Sequence, residues 1–182
     1  CSNFYFRFQF STTQNLHVII FLNYTFLRQN SHSDFRNFCV IHQFLDITCN
    51  PGERVVLFTP AFPSYWAAAT HLGLEVMPIP LAERDGFHLS RQAVDSALAA
   101  RPRAIIVNNA NNPTGAVYDE ASLRAVNTLC RDRGVFHIHD EAYEYFTYDV
   151  PHVSPGRFDA AAAHTISLFS LSKAYGFASW RI

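Results

Sequence analysis

Every glycine and every proline of this 182-residue chain lies beyond Asn50, and so does every alanine. Fifty residues without glycine or proline lack the usual turn punctuation, whereas the remainder holds all 7 glycines and all 9 prolines. In composition the chain is two pieces, and a fold that needs tight connections is written in the second. The first piece carries 9 of the 17 phenylalanines and three of the four cysteines, Cys1, Cys39 and Cys49. Its apolar residues keep neither a strand period nor a helix period for more than a few positions. Its most apolar run, His17 to Leu27, falls far short of the ~20 residues of a membrane helix. No charged start, apolar core and small-residue cleavage site mark it as a signal peptide. We expect residues 1–50 to be an unassigned segment outside the native fold, from a wrong reading frame, a retained intron or a truncated assembly.

From Pro51 onward, apolar strands alternate with helical stretches. The pattern predicts strands over Arg54 to Phe58, Glu75 to Leu81, Arg103 to Val107, Val135 to His139 and His164 to Phe169. Helices are predicted over Ser64 to Leu72, over Ser90 to Ala100 behind a Ser90 N-cap, and over Asp119 to Arg133, closed by Gly134 where a left-handed residue is wanted. Strands separated by helices need crossover connections, so the class is α/β with a mainly parallel sheet. A hydrophobic content of 49% against 16% charged residues excludes a disordered chain. A net charge of −1 offers no overall field to attract a nucleic-acid backbone or an anionic membrane, so neither is expected as a partner. The cysteines show no metal-like or disulfide-like spacing, and the cytoplasm is the default compartment.

In an open parallel sheet, ligands gather at the carboxyl ends of the strands. Those ends carry Asn111-Asn112-Pro113-Thr114-Gly115, then Asp140-Glu141-Ala142-Tyr143, then Ser170-Leu171-Ser172-Lys173, with Arg181 beyond. The chain has 14 basic residues but a single lysine, Lys173, so any amine chemistry has one candidate. An amine set among hydroxyls, a guanidinium, an acid and a phenol suits a Schiff base with an aldehyde whose phosphate must be anchored. Pyridoxal 5'-phosphate meets that description. Asp140 is placed to keep its ring nitrogen protonated, Asn112 and Tyr143 to donate to its phenolic oxygen, and Ser170, Ser172 and Arg181 to hold its phosphate.

Residues 51–182 resemble the large domain of class I/II, fold-type I aminotransferases dependent on pyridoxal phosphate. The resemblance rests on Pro51-Gly52-Glu53-Arg54-Val55, Pro60-Ala61-Phe62-Pro63-Ser64-Tyr65, Asn112-Pro113-Thr114-Gly115, Asp140-Glu141-Ala142-Tyr143 and Ser170-Leu171-Ser172-Lys173 through Trp180-Arg181, in the family's order. It implies a three-layer sandwich, here incomplete, and transfer of an amino group between an amino acid and a 2-oxo acid. Lys173 would be the Schiff-base lysine, also moving the proton at the substrate α-carbon. Phe62 would stack on the cofactor ring, although simple core packing fits it equally. The resemblance also implies a cis bond between Asn112 and Pro113, and a homodimer for a full-length member.

The family's glycine-containing phosphate turn has no counterpart in residues 1–50. The small carboxyl-terminal domain, with its substrate-gripping arginine, is expected to be absent. Two alternatives therefore stay open beside aminotransfer: a non-catalytic fragment, and a pyridoxal-phosphate lyase or synthase of the same fold. His137 and His139 share one face of a strand, which superficially suggests a metal. No third ligand follows at a recognisable spacing, so none is predicted. His139 reads instead as a group close behind the cofactor, or either histidine as a satisfied interior one.

Overall fold

The computed structural model describes residues 35–177, with side chains described from Val40 onward. Along the chain come α1 (Phe35–Thr48), β1 (Arg54–Thr59), α2 (Pro63–His71), β2 (Glu75–Pro80), α3 (Arg91–Ala99), β3 (Ala104–Asn108), α4 (Glu120–Arg133), β4 (Phe136–Asp140), β5 (Thr165–Leu168) and the short α5 (Leu171–Ala174). The strands form one sheet in the order β2-β1-β3-β4-β5, and every neighbouring pair is parallel. This is the expected α/β arrangement.

Local chemistry explains where the helices begin and end. The Ser90 hydroxyl accepts the Ala93 N–H at 3.1 Å, and the Asp119 carboxylate accepts the Ser122 N–H at 2.7 Å, each satisfying an orphan donor of a first turn. Gly134 ends α4 at φ 65, a left-handed conformation that glycine adopts without strain. Helix α2 starts one residue earlier than expected, because Pro63 fits the first turn, where its missing N–H is no loss.

Alternate residues of the central strands point into two cores. Val56, Phe58, Ile105 and Val107 pack under α3 and α4. Val55, Leu57, Ala104, Ile106 and Ile138 pack under α1 and α2. The result is a three-layer sandwich with a sheet buried on both faces. The outer strands are less covered, and β2 carries Pro78 and Pro80, as an edge strand can.

Helix α1 corrects the expected boundary at Asn50. Ile41, Leu45 and Cys49, spaced by four residues, are buried against Val55 and Tyr65, and Arg103 Nε donates to the Thr48 carbonyl at 3.0 Å. The fold therefore begins before the change in composition. The one-faced stripe of α1 is obscured by Ile47, an apolar residue that lies off the buried face and is exposed. Residues 1–34 and 178–182 lie outside the described residues.

Candidate functional site

The parallel register brings the strand ends level. Asn108 is paired with Asp140, and Asp140 with Leu168, so the segments carrying Asn112, Tyr143 and Lys173 leave from one edge of the sheet. Asp140 is only 4% exposed. One carboxylate oxygen, Oδ1, accepts the Ala142 N–H at 3.0 Å, and the other, Oδ2, accepts the Tyr65 hydroxyl at 2.6 Å. Burial pushes its carboxyl above the ordinary value; the Tyr65 and Ala142 hydrogen bonds and the Lys173 amine pull it back, while the Glu141 charge pushes it up. Tyr65 is itself buried. That burial, with the Asp140 charge, holds its phenol well above the usual range, so it stays a donor.

The Asn112 side-chain amide donates to the Tyr143 hydroxyl at 3.4 Å, and the Lys173 Nζ lies 5.7 Å from the centre of the Tyr143 ring. Asn108 braces this group from behind. Its Oδ1 accepts the Asn112 N–H at 2.7 Å, and its Nδ2 donates to the Asp140 carbonyl at 3.1 Å. The Asn112–Pro113 bond is cis, as the resemblance implies; Thr59–Pro60 and the non-proline Asn109–Ala110 bond are also cis. The amide, the phenol, the amine and the buried acid are thus gathered at one edge.

The remaining sequence-predicted residues are placed differently. The Ser170 hydroxyl caps α5 by accepting the Ser172 N–H at 3.2 Å, tying the two serines to each other directly before Lys173. Phe62 is half-buried, packs on the α2 core and meets Tyr65 edge-on at 5.7 Å. Arg181 lies outside the described residues.

Three sets of neighbours were not foreseen. Tyr65 sat within a quoted motif without a role, and only folding brings it to Asp140, 75 residues away in sequence. Asn108, the last residue of β3, could have been found as a polar group ending an apolar strand. The third set surrounds Glu141, which is fully buried: Ser154 donates to Oε1 at 2.7 Å, and His152 Nε2 lies 2.6 Å from Oε2.

On the opposite face of β4, His137 and His139 are both fully buried, with ring centres 5.3 Å apart. His137 Nδ1 meets Asn127 Nδ2 at 3.1 Å; its Nε2 and both nitrogens of His139 have no hydrogen-bond partner among the described residues. Burial, reinforced by the neighbouring His164, lowers the His137 imidazole to about 3, and burial lowers that of His139 well below its usual value. Both are neutral. Among the described residues, no group of three or more His, Cys, Asp or Glu side chains is placed to hold a metal ion.

Comparison with known proteins places this architecture. Residues 39–182 match the aminotransferase class I and II family. The aspartate/prephenate aminotransferase of Thermus thermophilus is 34% identical over 133 residues, covering 73% of this chain and 34% of that protein. The arginine–pyruvate transaminase of Pseudomonas aeruginosa is 31% identical over 144 residues, covering 79% of this chain and 37% of that protein. A solved structure of Thermus thermophilus aspartate aminotransferase with maleate superposes with a TM-score of 0.73 at 31% identity, covering 78% of this chain and 37% of that one. The chain spans about a third of the length of the curated relatives it matches.

Proposed function

This chain belongs to the class I and II aminotransferases, and from that premise we propose that it is the cofactor-binding part of a pyridoxal-phosphate enzyme that moves an amino group from an amino acid to a 2-oxo acid. The observation that carries the reading is Asp140. A carboxylate buried to this degree, with two hydrogen bonds and no ion pair among the described residues, asks for a cationic hydrogen-bond donor. A protonated pyridine nitrogen is such a donor, and the residues around Asp140 fit the rest of the cofactor.

Bound pyridoxal phosphate supplies an electron sink for the charge left when a proton leaves the substrate α-carbon. Asp140 then holds the ring-nitrogen proton in place. Asn112 and Tyr143 donate to the phenolic oxygen from two adjacent strand ends. Lys173 would be the amine that holds the cofactor and would move the proton at the substrate α-carbon. Ser170, Ser172 and Arg181 are assigned to the phosphate, and Phe62 to the ring face. The amino acid and the 2-oxo acid are left open, since the relatives' names span several. Family membership also supports assembly as a homodimer. No helix among the described residues is long and apolar enough to cross a membrane, and the cytoplasm remains the proposed compartment.

The test is a titration of the chain with pyridoxal phosphate, followed by borohydride reduction and peptide mass spectrometry. The reading expects a saturable absorption change, the pyridoxyl mass on Lys173, and loss of both in Lys173→Ala. No absorption change at saturating cofactor would leave the non-catalytic fragment. Conversion of the cofactor to its amine form by amino acids supports aminotransfer, whereas ammonia release with the aldehyde form retained supports the lyase alternative.

A further inference from the structure

The amino-terminal edge of the same sheet, the end away from Lys173, carries a concentration of positive charge that the proposed chemistry does not use. A cleft of about 560 Å³ opens there, where the chain enters β1, β3 and β4, and Arg54, Arg101, Arg103 and Arg133 line it. Four arginines in one cleft are a strong local field for a chain whose net charge is −1.

Internal partners use only part of that charge. Arg54 pairs with Glu75 at 2.8 Å and donates to the Ala100 carbonyl at 3.2 Å. Arg103 donates through Nε to the Thr48 carbonyl at 3.0 Å and lies 4.9 Å from the Phe136 ring centre, so its terminal amino groups stay available. The side chains of Arg101 and Arg133 make no hydrogen bond or ion pair among the described residues, although the Arg101 backbone N–H donates to the Leu98 carbonyl at 3.0 Å. The one carboxylate of the lining, Glu53, accepts the Asn50 N–H at 2.7 Å instead.

Complementing helix ends does not account for the surplus. A cation in the last turn of a helix favours its carbonyl end, which gives Arg133 a local reason. Arg101 lies outside any helix and has a left-handed backbone at φ 49, where glycine would sit without strain.

We propose that this cleft is a second site that binds a small molecule bearing two or more linked phosphates. Guanidinium forks grip phosphate oxygens in pairs, and three guanidinium charges with free donors exceed the charge of about −1.5 to −2 that one phosphate carries at neutral pH. The volume lies within the range of small-molecule sites. The ligand chemistry is shared by inorganic polyphosphates and by nucleoside di- and triphosphates.

The experiment is calorimetric titration of the full chain, without pyridoxal phosphate, using orthophosphate, pyrophosphate, tripolyphosphate and ATP at low and high salt. Loss of binding in the cleft variants, rather than binding alone, separates this site from the phosphate position assigned to Ser170, Ser172 and Arg181, so the proposal and the cofactor reading can fail separately. Pyrophosphate should bind about tenfold or more tighter than orthophosphate and weaken as salt rises. Arg101→Gly combined with Arg133→Ser should weaken it about tenfold or more; the glycine relieves the left-handed backbone and so protects folding. Arg101→Lys, which keeps charge but loses the fork, should fall between. ATP tighter than tripolyphosphate would assign the site to nucleotides; equal affinities would assign it to polyphosphate alone. Pyrophosphate no tighter than orthophosphate, or unaffected by the double substitution, or equally weakened by Arg91→Ser elsewhere on the surface, would overturn the proposal.

Discussion

Asp140 and His139 are neighbours in β4, both almost wholly buried, yet they meet burial in opposite ways. Asp140 keeps two directed hydrogen bonds and the proximity of Lys173, so charge remains accessible at that position. His139 has no hydrogen-bond partner at either nitrogen among the described residues and meets burial by staying neutral. One face of the strand supports a hydrogen-bonded carboxylate, while the opposite face tolerates a polar side chain only in uncharged form. Strand alternation, rather than sequence proximity, decides which is which.

The largest test of that contrast is acid. The folded His137 imidazole sits at about 3, far below its usual 6.5, and His139 is lowered too. The unfolded chain therefore takes up protons that the folded chain refuses. The histidines' contribution to stability is complete above pH 6.5 and is lost as pH falls from there toward the lowered values, at about 1.4 kcal/mol per pH unit for each histidine. Urea unfolding across that window should give this slope. His139→Leu should flatten it and, by removing two unpaired nitrogens, raise stability at neutral pH by about 1 kcal/mol.

On the other face, Asp140→Asn should weaken pyridoxal phosphate binding by about 100-fold in an absorbance titration. The same change should not destabilise the cofactor-free chain at neutral pH. The folded carboxyl is raised, so its contribution to stability is present in acid and lost as pH rises through the raised value. Comparing wild type and Asp140→Asn by urea unfolding on either side of that rise checks the sign.

Two smaller tests follow. His152→Gln leaves buried Glu141 with only its Ser154 contact securely made, and should cost about 2 kcal/mol in chemical denaturation. Tyr65→Phe removes one hydrogen bond to a buried carboxylate and should cost about 1.5 kcal/mol, with Asp140 titrating at still higher pH. If Tyr65→Phe leaves that titration unmoved, the two oxygens of Asp140 are not held as described.

Much of this was legible in the sequence because it is local or set by strand order. The Ser90 and Asp119 caps and the Gly134 stop depend on a few consecutive residues. Asn112, Tyr143, Asp140 and Lys173 could be grouped in advance because parallel strands deliver their following segments to one edge. What sequence spacing does not carry is contact across layers. The Tyr65 bond to Asp140 joins α2 to β4, and the Glu141 cluster joins β4 to the loop before β5. Composition misled at α1, where the lack of glycine and alanine says nothing about whether Ile41 and Leu45 face a core. The expected phosphate role of Ser170 competes with a simpler one, since its hydroxyl already serves the first turn of α5.

The prolines of β2 bear on how these molecules behave toward one another. Glu75 and Leu81 donate their N–H groups inward to Glu53 and Thr59 of the β1 side, so odd-numbered residues of β2 face their neighbour and even-numbered ones face out. Pro78 and Pro80 are both even, which leaves Val76 as the outward N–H within the strand. A strand from another copy finds almost no donors on that border of the described sheet, so edge-to-edge pairing is disfavoured there by the covalent structure of the residues themselves. The β5 border has no such protection among the described residues, and growth of the sheet, orderly or not, is favoured on that side.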